Sequence, residues 1–143
     1  MEFLIQFGYF GLFAASFLAA TILPFSSEVV LSVLLVNGLN PSLLVLVATS
    51  GNVLGSVVNY ALGYTGGKLF KKKFATASED QINASLARFE RFGVISLLFA
   101  WVPVIGDPLT AAAGVLKINL PLFLLLVTIG KLGRYIAVVW FVQ

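Results

Sequence analysis

The chain has 143 residues, 59% of them hydrophobic and 10% charged, against roughly half and a quarter in an average soluble domain. One domain of this length cannot bury so much apolar side chain in water, so the expectation is a single all-α domain, residues 1–143, integral to a membrane. Cysteine and histidine are both absent, which excludes disulfides, thiolate zinc sites, a catalytic Cys and imidazole as base or ligand. No cofactor is implied. The formal charge of +3 does not point to nucleic acid, because six of the nine Lys and Arg lie between Lys68 and Arg91, flanked by apolar blocks. That placement is a membrane-surface signature, with anionic lipid as the partner.

Met1 to Gln6 contain Glu2 and no Lys or Arg, so they lack the basic region that opens a signal peptide, and no cleavage is expected. From Phe3 to Gly67 the only charge is Glu28. The 34 residues from Phe3 to Val36 are long for one span and short for two of about 20 residues each. A pair of helices broken at Leu23-Pro24-Phe25-Ser26-Ser27-Glu28 fits the length and the proline. After the turn Asn37 to Pro41, the run from Ser42 to Gly66 suits a full span. It carries Gly51, Gly55, Asn59 and Gly63 at steps of four, with Asn52 beside them, on one helix face. Gly51 and Gly55 also form a small-xxx-small pair suited to a second copy of the chain.

Lys68 to Phe92 is the polar interval. Ser78 with Gln81 reads as a capping box, Gly93 as a stop, and Ile82, Leu86 and Phe89 as an apolar stripe. The expectation is a basic amphipathic helix lying on the bilayer. Phe92 to Leu116 is again apolar with one charge, Asp107, and again broken, at Val102-Pro103-Val104-Ile105-Gly106-Asp107-Pro108.

The second half repeats the first. Phe7-Gly8 leads to Pro24 with Glu28 four later, and Phe92-Gly93 leads to Pro103 with Asp107 four later. Gly38 and Asn40-Pro41 precede the first span, Gly114 and Asn119-Leu120-Pro121 the second; Gly51 and Gly55 lie in one, Gly130 and Gly133 in the other. Each half is thus a Pro-broken segment with a carboxylate at the break, a turn and a spanning helix: repeat 1 over 3–66, a linker over 67–91, repeat 2 over 92–143. If each broken segment is a re-entrant hairpin, each half crosses once and the repeats are inverted. Residues 67–91 are then cytoplasmic by the positive-inside rule. Segments that cross fully would make the repeats parallel.

Four ionisable residues lie in apolar surroundings, Glu28, Asp107, Lys131 and Arg134, and their charges cancel. Each needs a partner, water or a substrate, since a charge at the bilayer centre costs about 2.5–3.5 kcal/mol even on the mildest scale. Ten residues of helix from Pro121 place Lys131 about 15 Å along the span, near the middle of the hydrocarbon. The hairpin breaks, Pro24, Ser27, Pro103, Gly106 and Pro108, free backbone groups that are tolerated only inside protein or beside a wet cavity. Asn52, Gly55 and Asn59 serve either close helix packing or a polar path.

Leu23-Pro24 with Ser27-Glu28, Gly51-Asn52-Val53-Leu54-Gly55 with Asn59, Trp101 to Asp107 with Ala113-Gly114, and Gly130-Lys131 with Arg134-Tyr135 together resemble the DedA, or VTT-domain, membrane proteins, in a short branch of that family. The resemblance covers nearly the whole chain. It implies two re-entrant hairpins facing each other, residence in the bacterial inner membrane, and movement of lipids or polyisoprenyl phosphates across the bilayer, often considered proton-linked. The family's hairpin carboxylate carries over to Glu28. Longer members have arginines around the second hairpin's proline, where this chain has Trp101 and Gly106-Asp107, so the cations are instead Lys131 and Arg134.

The expected function is therefore translocation of a lipid phosphate, flippase- or scramblase-like. Lys131 and Arg134 would hold the phosphate, and Glu28 and Asp107 would change protonation. A proton or cation carrier and a non-catalytic, homo-oligomeric scaffold are the alternatives. An enzyme is not expected: Asp80 lies in the basic segment rather than beside Asp107, and Ser26 and Ser27 have no His to activate them.

Overall fold

The structure, a computed structural model, describes residues 2–21, 26–66, 76–102 and 106–142. Pro24, Pro103, the carboxylate of Asp107, Lys68, and Lys71 to Lys73 lie outside the described residues, as do the side chains of Ser78 and Gln81. Every described element is a helix: α1 (Glu2–Thr21), α2 (Ser26–Val36), α3 (Pro41–Thr65), α4 (Thr76–Phe92), the 3-10 helix η1 (Gly93–Trp101), α5 (Gly106–Val115) and α6 (Leu120–Val142). α3 and α6, of 25 and 23 residues, are long and apolar enough to cross a membrane.

Both broken segments end in the same turn. In the first, Gly38 has φ 88° and its N–H donates to the Leu35 carbonyl, while the Leu39 N–H reaches back to Leu34. In the second, Lys117 has φ 54°, its N–H donates to Gly114, and the Ile118 N–H reaches Ala113. Asn40 Oδ1 then accepts the Ser42 N–H at 2.9 Å, and Asn119 Oδ1 the Leu122 N–H at 3.3 Å, so each long helix starts on an asparagine cap. Both backbone bonds of the second turn and its cap Asn119 stand 79 places after their counterparts, as do Pro103 after Pro24 and Gly130 after Gly51. This corrects the pairing of Gly38 with Gly114: the left-handed residue of the second turn is Lys117.

The chain divides into two compact units, Met1–Gly55 with Lys131–Gln143, and Ser56–Gly130. In the first, α1 packs on α2. Leu12, Leu31, Leu44, Val45, Ala48, Tyr135 and Val139 form its core, drawn from all four helical segments. A Cβ on Gly51 would come within 2.5 Å of the Phe13 carbonyl oxygen. The small face of α3 at Gly51 is therefore filled by α1 of the same chain, not left for a second copy.

In the second unit α4 packs on η1 and α5. Gly63 meets the Ala111 carbonyl and Gly114 the Tyr60 carbonyl, closer than any Cβ would permit, so α3 and α5 touch backbone to backbone. The run Thr110-Ala111-Ala112-Ala113 is fully buried there. With lipid as the surroundings, such close packing does the work that water exclusion does in a soluble core.

Two expectations for the polar interval change. α4 begins at Thr76, so Ser78 lies inside its first turn rather than at the cap. Its apolar stripe is also largely taken by protein: Ile82 and Phe89 are buried and Leu86 is half-buried. The amphipathic pattern serves the second hairpin, leaving Arg88 and Arg91 rather than the apolar face outward. At Gly93, φ 72°, the α-helix does stop, but the chain continues at once as η1.

Candidate functional site

The polar side chains of the first unit gather where α2 meets α6. Ser27 and Glu28 sit in the first turn of α2, where the helix dipole favours a carboxylate. Arg134 and Tyr135 are adjacent on α6, and the two pairs engage side by side. Arg134 Nη2 forms an ion pair with Glu28 Oε1, and the Tyr135 hydroxyl shares a hydrogen bond of 2.8 Å with Ser27 Oγ. Ser27 Oγ also lies 3.3 Å from the same Glu28 Oε1, as donor. The four side chains thus close a ring across the two helices.

Both ionised side chains are largely shielded, at 15% exposure for one and 19% for the other. Among the described residues, Glu28 Oε2 is buried with no hydrogen-bond partner, and the same holds for Ser16 Oγ on α1 and Thr49 Oγ1 on α3. Asn52 donates from Nδ2 to the Ser16 carbonyl at 2.9 Å, holding α3 to α1. Lys131, one turn before Tyr135, is 2% exposed. A carboxylate with one oxygen committed to a guanidinium and one open can exchange partners. A guanidinium so held can also pair with an incoming anion by two parallel hydrogen bonds.

Glu28, Ser27, Lys131, Arg134, Asn52 and Gly55 all belong to this unit, and Arg134's partner, open between Glu28 and Asp107 in the sequence, is Glu28. Asn59, Gly106 and Pro108 are buried in the other unit, where Asn59 Nδ2 reaches Thr110 Oγ1 at 3.4 Å. Tyr60 donates there to the Ile118 carbonyl. Sequence reasoning missed Ser16, Thr49 and the hydrogen bond of Tyr135. A hydroxyl residue in an otherwise apolar run is the signal that marks Ser16 and Thr49. Tyr135 carries none, because an aromatic in a span reads as packing.

A profile of the VTT domain matches residues 23–143. The chain is 40% identical to inner membrane protein YqaA of Escherichia coli over 130 residues, covering 90% of this chain and 87% of that protein. It is 36% identical to an uncharacterised Haemophilus influenzae protein over 137 residues, 90% of this chain and 83% of the relative. An alkaline phosphatase-like protein of Lactococcus lactis is 28% identical over 142 residues, 89% of this chain and 65% of its own length. No solved structure matches the chain. The chain belongs to the VTT-domain, or DedA, family of bacterial inner-membrane proteins.

Proposed function

We propose that the protein translocates a lipid phosphate, flippase- or scramblase-like, with a proton exchanged at Glu28. The observation that carries this is the shielded Glu28–Arg134 pair with Lys131 close by on the same helix. An ion pair withdrawn from water is held at a desolvation cost that a purely apolar contact avoids. It is suited to a guanidinium that must leave its carboxylate for a phosphate, which it can hold by two parallel hydrogen bonds. Glu28, abandoned in a low-dielectric site with Ser27 as its remaining donor, then takes a proton. Asp107, four residues after Pro103 as Glu28 is after Pro24, is the proposed second protonatable group.

The proposed architecture is an inverted repeat of two re-entrant hairpins, each followed by one crossing. At 1.5 Å per residue α2 and α5 are about 16 and 15 Å long, and η1 about 18 Å at 2.0 Å per residue. Each is about half of a 30 Å hydrocarbon core, whereas α1, at 20 residues, reaches about 30 Å and α3 and α6 about 38 and 35 Å. Within the first unit the N-terminal half of α3 packs with the C-terminal half of α6, at Val45 and Val139. Within the second the opposite halves pair, the Tyr60 and Phe123 rings meeting at a tilt with centroids 4.7 Å apart. Opposite halves pair this way when two spans run antiparallel. With one crossing per half, residues 67–91 face the cytoplasm.

Proteoliposomes test the reading. A headgroup-labelled lipid phosphate should change leaflets faster than in empty vesicles, and acidifying one side should alter the rate. Glu28→Gln, which fixes the neutral state, should reach the membrane at reduced stability and lose that pH response. A Glu28→Gln protein with normal rate and unchanged pH dependence refutes the mechanism. Movement of a pH dye without lipid would make the protein a proton carrier.

A further inference from the structure

A second, separate feature lies on the other unit. A groove of about 240 Å³ runs between the end of α4 and η1, lined by Arg88, Phe92, Ser96, Phe99 and Val102. We propose that this groove holds one anionic phospholipid, its phosphate at Arg88 and an acyl chain between Phe92, Phe99 and Val102.

The interior of the groove is apolar, and its one polar side chain is already used, since the Ser96 hydroxyl donates to the Arg88 carbonyl at 3.2 Å. A polar ligand gains nothing by entering. One cation stands at the mouth: Arg88 is exposed and makes no ion pair among the described residues, while Arg91, three residues on, is not part of the lining and rests on the Phe92 ring, 5.1 Å from its centroid. A single cation at the edge of an apolar slot complements a molecule with one anionic head and a hydrocarbon tail. The surroundings agree. Phe92, Ile95 and Phe99 are 59%, 64% and 55% exposed, an apolar rim that a membrane protein turns to acyl chains rather than to water. The stripe of α4 that could have inserted in the bilayer is covered by protein at Ile82 and Phe89, whereas the groove stays open. The proposal rests on membrane residence and not on translocation.

Native mass spectrometry of the detergent-solubilised protein, with dioleoylphosphatidylglycerol and dioleoylphosphatidylcholine as probes, tests it without any transport assay. One phosphatidylglycerol per chain should be retained about fivefold more tightly than phosphatidylcholine, equal to the ~1 kcal/mol that one basic residue contributes at an anionic surface. Arg88→Gln should remove that preference and leave phosphatidylcholine unchanged. Arg91→Gln, the same charge on the same helix but off the groove, should keep it. Val102→Phe, which fills the slot, should weaken both lipids. Phe99→Ala, at an exposed position that tolerates change, removes one wall and should do the same. Equal retention of the two lipids by the wild type overturns the proposal, as does an Arg91→Gln loss matching Arg88→Gln, which would mean diffuse attraction. Undiminished binding in the two groove variants overturns it as well.

Discussion

Breaking the Glu28–Arg134 pair from each side separately should not cost the same. Removing one member of a shielded pair leaves the other charged and unpartnered, which costs about 3–5 kcal/mol. After Arg134→Met, Glu28 keeps the Ser27 hydroxyl and its place in the first turn of α2, where the helix dipole contributes about 0.3–1 kcal/mol. That variant belongs at the lower end, about 3 kcal/mol. After Glu28→Gln, Arg134 has lost its ion-pair partner and retains the Tyr135 ring, 5.8 Å from its guanidinium carbon. That variant belongs nearer 5 kcal/mol. The double variant has no orphaned charge and should recover to within about 1 kcal/mol of the wild type, so the two losses are far from additive. Unfolding in detergent micelles, followed by far-ultraviolet circular dichroism, measures all three. Additive losses would refute the account of the pair as mutually dependent. Lipid translocation adds a second reading: the double variant should fold and stay inactive, and recovered transport would reduce the pair to a staple.

Three further outcomes follow from the geometry. Single cysteines at Asn40, Ala77 and Lys117 should label with Ala77 and Lys117 on one side and Asn40 on the other; Lys117 labelling with Asn40 would mean that the second broken segment crosses and the repeats are parallel. Tyr135→Phe should lose about 1 kcal/mol of stability, the net value of one buried hydrogen bond, measured by thermal unfolding; no change would mean that the Ser27 contact contributes nothing. Gly114→Leu should cost about 3 kcal/mol, the upper range for overpacking, because the new side chain meets the Tyr60 backbone, which cannot turn aside as a side chain would. A wild-type melting temperature in that variant would refute the close contact between α3 and α5.

Some helix boundaries were readable because the signals are local. The turn from Asn37 to Pro41 marks the start of α3, and Gly93 announces a stop, whereas the cap read at Ser78 falls inside α4. The carboxylate and the cations of the site were readable for a different reason: charge in an apolar run is rare enough to stand out. Which of them meet was not readable, since the partner of Arg134 depends on how a hairpin folds back on a helix about a hundred residues later. The fate of the α4 stripe was hidden similarly. A stripe at Ile82, Leu86 and Phe89 records only that some apolar surface will cover it, and protein and bilayer satisfy the same pattern. Lys117 misled because left-handed backbone is sought at glycine, and Gly114 stood close by to claim the role.

The constant offset of 79 residues makes a finer comparison possible. Lys131, Arg134 and Tyr135 stand where the first span has Asn52, Gly55 and Ser56. Gly51 and Gly130 stay matched in what they do: a Cβ on either would press on a backbone carbonyl of a hairpin arm, at 2.5 Å from Phe13 in one and 2.7 Å from Leu98 in the other. Phe13 and Leu98 are 85 places apart, so the second hairpin is six residues shorter between that contact and its proline. The packing contacts of the scaffold are thus duplicated, while the cations in its spans are confined to one copy. Two equal repeats with equal charges would leave nothing to distinguish the two faces of the membrane. With both cations on α6 and Arg134 paired to Glu28, the translocation proposed above has a single point at which an anion can compete with a carboxylate.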